Sequence, residues 1–187
     1  NDDRTLKQQI SYGDLLNKVV NRANYLIKIG FKSLIRQREY VGTGLALGNA
    51  EVSLFELTRA FSIFPRGGKF LTLTPFKENS GLPDLNNHEK FSLKPYTAGI
   101  IQDILSDNNS RYMGFGENNI MDTSFDTMFK TGTSNQFQNI WAIGATPEYT
   151  VGIWMGDFSG NTVVGRTGSS LPARIVAEML ELIHTPE

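Results

Sequence analysis

The sequence predicts an α/β fold of the α+β type, in which an antiparallel sheet is covered by helices on both faces. Three strand-like runs, 127–134, 139–146 and 149–156, follow one another closely near the carboxyl end. Connections this short favour antiparallel pairing in chain order. The second and third runs are apolar on both faces, so both faces of the sheet need a cover, and helical apolar stripes before and after the runs can supply it.

Composition excludes several functional classes. The chain has 187 residues, of which 40% are hydrophobic, enough for one globular core or most of one. Eighteen basic and nineteen acidic residues give a formal net charge of −1, so no nucleic-acid partner is predicted. The chain has no cysteine, which excludes disulfides and thiolate chemistry. It has two histidines. We predict neither a metal nor a cofactor.

No apolar run approaches the roughly 20 residues that span a bilayer, and no signal peptide is visible. The first residue is Asn1 rather than Met. We therefore expect a fragment of a longer protein, with any export signal or membrane anchor upstream of this chain.

The first element predicted is a helix that has Ser11 as its N-cap and stops at Gly30. A second, shorter helix should run through Phe31, Leu34 and Ile35. The first helix carries an apolar stripe with steps of one, three and four residues: Leu15, Leu16, Val19, Val20, Ala23, Leu26 and Ile27.

The glycine-rich stretch 41–52 matches neither phosphate-loop pattern, so we interpret it as a tight connection. Ser53 and Glu56 then form a capping box that predicts a new helix, ended by Pro65. The apolar stripe of that helix is Leu54, Leu57, Phe61 and Phe64.

Between this helix and the strands, 69–74 suggests a short strand and 77–90 a surface loop. Pro95 fits the first turn of a helix that ends near 106–109, followed by a loop over 110–124. The last predicted helix starts at Ser170, and its apolar residues are Ile175, Val176, Met179, Leu180 and Ile183.

The first strand holds a lysine, two threonines and a glycine in the order Lys130-Thr131-Gly132-Thr133. Side chains alternate along a strand, so Lys130 and Gly132 share one face, while Thr131 and Thr133 share the other with Phe129. Such a strand can place an ammonium beside a reacting group. Gly132 leaves room for another extended chain to approach the backbone.

This tetrad resembles the third active-site motif, K-T-G, of penicillin-binding proteins and serine β-lactamases. Segment 44–57 resembles a longer stretch of class A penicillin-binding proteins, which reads roughly G-L-x-L-x-L-G-x-A-E-V-T-x-L-E-L. Run 129–156, with W-A-I-G after the tetrad, and the G-S-S-x-x-P-A-R entry to the last helix resemble the end of their transpeptidase domain. These features lean toward the 1C branch of the family.

The resemblance implies that 1–187 is the carboxyl-terminal portion of a penicillin-binding transpeptidase domain, with the fold of penicillin-binding proteins and β-lactamases left incomplete. Segment 1–40 is a weakly matched helical part, and 41–187 is well matched. The implied enzyme is a serine-type D-Ala-D-Ala transpeptidase of a bifunctional peptidoglycan synthase. Its expected place is the periplasmic face of the bacterial inner membrane, in the cell envelope.

In that family chemistry Lys130 is catalytic, and Thr131, Gly132 and Thr133 bind substrate. The resemblance points to the Thr133 hydroxyl as the partner of the substrate carboxylate and to its N–H as an oxyanion donor. The implied partners are the D-Ala-D-Ala stem peptide of peptidoglycan, β-lactams, and the upstream half of the same domain.

The chain departs from the family pattern at the other two motifs. No S-x-x-K occurs, since Ser92 precedes Lys94 by only two residues, so we expect the nucleophile upstream. The middle motif S-x-N falls near Asn17 and Val19, or at Val19 to Asn21, and neither place has its serine. Either the match fails before Gly30, or this segment is foreign to the motif, or a proton-transfer hydroxyl has been lost.

Two alternatives to the enzyme remain. One is a non-catalytic module, similar to a penicillin-binding protein, that binds stem peptide or a cell-wall partner without turnover. The other is a β-lactam sensor domain, which would also use K-T-G. The match over 44–57 favours the synthase over the sensor.

Overall fold

The computed structural model describes residues 12–70, 73, 93–116, 119–163 and 167–184. The chain divides into two compact units, Asn1–Glu56 and Leu57–Glu187. Within the described residues, no helix combines the length and the apolar character that a bilayer crossing requires. No three His, Cys, Asp or Glu side chains of the same residues come together as metal ligands.

The first unit is helical. Helix α1 spans Tyr12–Lys28 and is followed by Gly30 at φ 111°, which confirms the predicted stop. Two short 3₁₀ helices follow, Lys32–Arg36 and Thr43–Leu47. The second lies between Gly42 (φ 59°) and Gly48 (φ 82°), the tight connection that the glycines predicted. The predicted N-cap Ser11 lies outside the described residues.

The capping box at the start of helix α2 (Leu54–Phe61) is confirmed. Ser53 Oγ accepts the Glu56 N–H at 3.2 Å, and the Glu56 carboxylate accepts the Ser53 N–H at 3.1 Å. That carboxylate also accepts the Ser33 N–H at 3.0 Å and the Ser33 hydroxyl at 2.5 Å. Glu56 therefore joins the first 3₁₀ helix to the start of α2. The helix ends at Phe61, before the predicted stop at Pro65.

Little of the predicted strand over 69–74 is described: Lys69 lies in an isolated β-bridge, and 71, 72 and 74 fall outside the described residues. The predicted surface loop over 77–90 also lies outside them. Helix α3 spans Pro95–Ser106, with Pro95 in its first turn as expected.

The predicted loop over 110–124 is wrong in its first part, because helix α4 spans Asn108–Phe115. The Asp107 carboxylate caps this helix by accepting the N–H groups of Asn109 at 2.9 Å and Ser110 at 3.1 Å. Gly116, at φ 84°, ends it. The cap stabilises a segment whose asparagines, serine and glycine have weak helix propensity.

The sheet has the predicted strands in the predicted order. Strands β1 (Met128–Thr133), β2 (Asn139–Ala145) and β3 (Thr150–Gly156) pair antiparallel in chain order. Gly132 lies opposite Trp141, which in turn lies opposite Trp154. The observed α+β architecture confirms the predicted fold class.

Helix α5 (Leu171–His184) packs directly on one face of the sheet. A Cβ atom on Gly144 would lie 2.5 Å from Val176 Cγ1 and 2.7 Å from Leu180 Cδ1, so the helix lies close to β2. The core between the two elements consists of Met121, Phe129, Ala142, Ala173, Val176, Ala177 and Leu180.

The predicted apolar stripe of α5 is only half right. Val176 and Leu180 are buried, but Met179 is 43% and Ile183 40% exposed. Ala173 and Ala177 occupy the buried face instead. Small residues are needed there because α5 packs closely against the sheet.

Candidate active site

Phe129 and Lys130, neighbours on opposite faces of β1, differ in exposure. Phe129 is buried in the core beneath α5, whereas Lys130 is exposed. Lys130 is therefore neither helical nor buried against the last helix. Its ammonium Nζ donates a hydrogen bond to the carbonyl oxygen of Thr131 at 2.7 Å.

The hydrogen bonds between β1 and β2 determine which backbone groups of β1 pair with β2 and which face the outer edge of the sheet. The Ser134 N–H donates to the Asn139 carbonyl oxygen at 2.8 Å, one step beyond the register pair of Thr133 and Ile140. In an antiparallel pair, inward and outward backbone groups alternate along a strand. The N–H and C=O groups of Thr131 and Thr133 therefore face the outer edge of β1.

That outer edge has no strand partner among the described residues, since the sheet order places β1 at one side. The contact between Lys130 Nζ and the Thr131 carbonyl places the ammonium at the same edge. A cation, a carbonyl acceptor and the Thr133 N–H donor are thus brought together on one strand edge that no described strand covers. This set can bind an extended peptide that carries a carboxylate.

The Thr133 side chain contacts a segment that sequence reasoning did not connect with it. Thr133 Oγ1 accepts a hydrogen bond from the Gly168 N–H at 3.1 Å. Gly168 lies in the turn just before α5 and is buried. The sequence marked this region as the entry to the last helix, but no sequence signal joins residues that are 35 positions apart.

Gly132 has space on the Lys130 face of the strand. A Cβ atom built there would lie 3.7 Å from Trp141 Cβ, an ordinary van der Waals distance. The described neighbours therefore do not require glycine at this position. The suggested reason for Gly132, the close approach of a second chain, stays a prediction.

Arg111, which sequence reasoning also missed, supports the start of β1 from α4. Its guanidinium donates to the carbonyl oxygens of Ser106 at 2.8 Å, Met121 at 3.3 Å and Thr127 at 3.4 Å. The guanidinium carbon lies 5.6 Å from the centre of the Phe129 ring. Burial lowers the pKa of Arg111, against the opposing effect of nearby carboxylates.

The two candidate places for the middle motif, Asn17 with Val19 and Val19 to Asn21, both lie on α1 in the first unit. Neither supplies a serine. The structure therefore brings together the four predicted residues of β1, and it adds Gly168 as a neighbour of Thr133.

No family model matches the chain. It is 31% identical over 124 residues to penicillin-binding protein 1C of Escherichia coli strain K12, covering 66% of this chain and 15% of that protein. It is 27% identical over 175 residues to penicillin-binding protein 1A of Clostridium botulinum, covering 84% of this chain and 21% of that protein. These matches support a fragment of the transpeptidase domain of a class A penicillin-binding protein.

Solved structures of penicillin-binding proteins share its fold. Penicillin-binding protein 1A from Haemophilus influenzae matches 90% of this chain and 32% of its own, with a TM-score of 0.62 and 19% identity. The TP domain of penicillin-binding protein 3 from Burkholderia pseudomallei matches 82% of this chain and 48% of its own, with a TM-score of 0.50 and 18% identity. The chain thus spans between about a seventh and a fifth of the length of the sequence relatives named above.

Proposed function

We propose that this chain is the carboxyl-terminal part of a serine-type D,D-transpeptidase that cross-links peptidoglycan stem peptides. The observation that carries the proposal is the outer edge of β1, where Lys130 Nζ, the Thr131 carbonyl and the Thr133 N–H lie together. A stem peptide ending in D-Ala-D-Ala is extended and carries a terminal carboxylate. It would pair with this edge as an added strand.

Each residue has a role in the proposed reaction. Lys130 attracts the terminal carboxylate and helps to keep a neighbouring catalytic amine neutral. The Thr133 N–H supplies one oxyanion donor, and the Thr133 hydroxyl binds the carboxylate. The Thr131 carbonyl accepts a backbone N–H of the substrate, while Gly132 leaves room for the substrate backbone.

The covalent step needs a serine that this chain does not carry in an S-x-x-K motif. That serine Oγ attacks the carbonyl carbon of the penultimate D-Ala, the peptide C–N bond breaks, and terminal D-Ala leaves with a proton. The amine of a second stem peptide then attacks the ester, and the serine regains its hydroxyl. We place the serine and its lysine upstream, in the same protein.

The edge of the sheet formed by β3 is consistent with the proposal that an upstream part of the protein pairs with this chain. Strand β3 is the other edge strand of the described sheet, and all seven of its residues are partly exposed. An apolar strand with an unpaired edge exposes backbone donors and acceptors that another strand can satisfy. The upstream half of the domain is the proposed cover, and segment 1–40 is its weakly matched continuation.

The proposal extends to the whole protein. It would be a bifunctional glycosyltransferase and transpeptidase at the periplasmic face of the bacterial inner membrane, with its anchor outside this chain. β-Lactams would acylate it as stem-peptide mimics. A non-catalytic module that binds stem peptide without turnover is the second candidate, favoured by the absence of a serine around Asn17 to Asn21.

Incubation of the full-length protein with a synthetic stem pentapeptide ending in D-Ala-D-Ala tests the proposal. The enzyme should release D-alanine and form cross-linked dimers when an acceptor amine is present. The non-catalytic alternative predicts saturable binding of the peptide with no D-alanine released. That second result would overturn the transpeptidase.

A further inference from the structure

We propose that Gly168 is a positioning residue that holds the hydroxyl of Thr133 so that its hydrogen is donated to the substrate carboxylate. This inference rests on the proposed transpeptidase function and extends it to the turn before α5. The Gly168 N–H donates to Thr133 Oγ1 at 3.1 Å. Thr133 itself is exposed, so its remaining hydrogen-bonding capacity is open to a ligand.

The position leaves no room for any side chain. A Cβ atom on Gly168 would lie 2.3 Å from the Trp141 carbonyl oxygen, 2.7 Å from the Gly132 carbonyl oxygen and 3.0 Å from the Gly132 nitrogen. All three atoms belong to the backbone of β1 and β2, so they cannot move aside as the end of a flexible side chain could. Gly168 therefore lies directly on the strand that carries the candidate site.

The turn that holds Gly168 is fixed by its own hydrogen bonds. The Thr167 N–H donates to Ser170 Oγ at 2.9 Å, and the Ser170 N–H donates to the Thr167 carbonyl oxygen at 3.1 Å. The Gly168 carbonyl oxygen accepts the Ala173 N–H at 3.1 Å, inside α5. Because α5 is packed in the core, it holds the turn in place, and the turn in this way supports Thr133.

The contact also determines what Thr133 can offer. A threonine hydroxyl has one hydrogen to donate and two lone pairs to accept with. Because the Gly168 N–H occupies one lone pair, its positive hydrogen directs the hydroxyl hydrogen away from the turn. An amide donor on the oxygen also polarises the O–H bond, which strengthens the bond that the hydroxyl donates. Thr133 is thereby presented as a donor, suited to an anionic acceptor.

The test compares a β-lactam with its own methyl ester as acylating agents of the full-length protein, because only the acid carries the carboxylate. We expect Gly168→Ala and Thr133→Val each to reduce the acid-to-ester ratio of acylation rate constants about tenfold, the effect of losing one charge-assisted hydrogen bond. Combining them should reduce it little further. Thr133→Ser, which keeps the hydroxyl, should retain the ratio.

Gly114→Ala is the matched control, since a Cβ atom there meets nothing within 4 Å. If Gly168→Ala slows acylation by acid and ester equally, Gly168 is only structural and the inference is overturned. If the wild-type protein is acylated by neither compound, the transpeptidase proposal itself fails, and this inference fails with it.

Amide hydrogen exchange tests the contact without a change at Gly168. The Gly168 amide should exchange slowly in the wild type and in Thr133→Ser, and about tenfold faster in Thr133→Val, where its acceptor is gone. Equal exchange in wild type and Thr133→Val would show that Thr133 does not hold this N–H, and would overturn the inference even if Gly168→Ala does not fold.

Discussion

The ammonium of Lys130 lies 2.7 Å from the carbonyl oxygen of Thr131, measured from Nζ to O. The two residues are neighbours in β1, so the strand places its own cation at its outer edge. No second side chain is needed for this placement. The proposed carboxylate site therefore depends on the backbone of β1 and on the packing that fixes it.

Lys130→Ala in the full-length protein should reduce acylation by β-lactams by a factor on the order of 10² to 10³, the typical cost of one electrostatic contributor to an acyl-transfer transition state. Labelling with a fluorescent penicillin measures the rate. Lys94→Ala is the matched control, because Lys94 is an exposed lysine of the same unit that lies outside the candidate site. Unchanged labelling of the Lys130 variant would favour the non-catalytic module.

Gly144→Ala should destabilise the contact between α5 and the sheet by about 1–3 kcal/mol, because the added methyl group overpacks the core. It would meet Val176 and Leu180, whose nearest atoms lie 2.5 Å and 2.7 Å from the Cβ position. Faster amide hydrogen exchange in peptides from β2 and α5 would show it. Gly114→Ala, at an open position of α4, should leave that exchange unchanged.

Arg111→Met should cost about 2–4 kcal/mol, since it leaves the carbonyl oxygens of Ser106, Met121 and Thr127 without their donor. Exchange in peptides covering 119–134 should accelerate. Arg174 offers a matched control, because its side chain is 61% exposed and pairs along the helix surface with Glu178. Arg174→Met should change stability by less than about 0.5 kcal/mol. Equal effects would contradict the supporting role of Arg111.

Glu56 makes the stability of the first unit depend on pH. Burial raises its pKa, but hydrogen bonds from Ser33 and Ser53 outweigh burial and lower it below the usual 4.5. A lowered folded-state pKa gives stability that is present above the unfolded pKa and is lost as pH falls through the folded value. Glu56→Gln should therefore destabilise the unit at pH 7 and matter progressively less below about pH 4.5.

Urea unfolding of the wild type and of Glu56→Gln, at pH 7 and again below about pH 4.5, measures the difference in stability between the two proteins. Glu39→Gln is the control, because Glu39 is an exposed carboxylate. A difference that grows as the pH falls would contradict the assignment.

Much of the sheet could be predicted because its signals are local. β2 and β3 are short apolar runs joined by a turn at Pro147, and β1 begins with buried Met128 and Phe129. Helix α4 was missed because its propensity is weak and its stability comes from the Asp107 cap and from Arg111, whose partners lie up to 16 residues away.

The sequence predicts which residues form the candidate site, but not which contacts hold those residues in place. Lys130 and Thr133 follow from a recognisable motif, whereas the contact between Thr133 and Gly168 depends on how α5 docks on the sheet. The sequence pattern of α5 also grouped Met179 and Ile183 with Val176 and Leu180, although Met179 and Ile183 are exposed in the structure. Apolar spacing does not show how closely a helix approaches a sheet, and here the close approach favours Ala173 and Ala177.

Intact-mass spectrometry after incubation with benzylpenicillin tests the central claim most directly. An acyl-enzyme needs a hydroxyl activated by an adjacent base, and no serine of this chain has a lysine three residues later. The 187-residue chain alone should therefore stay unmodified, whereas the full-length protein should gain one penicilloyl group on a serine outside this chain. A stable adduct on the chain alone, or none on the full-length protein, would contradict the proposal that Lys130 and Thr133 serve a serine supplied from upstream.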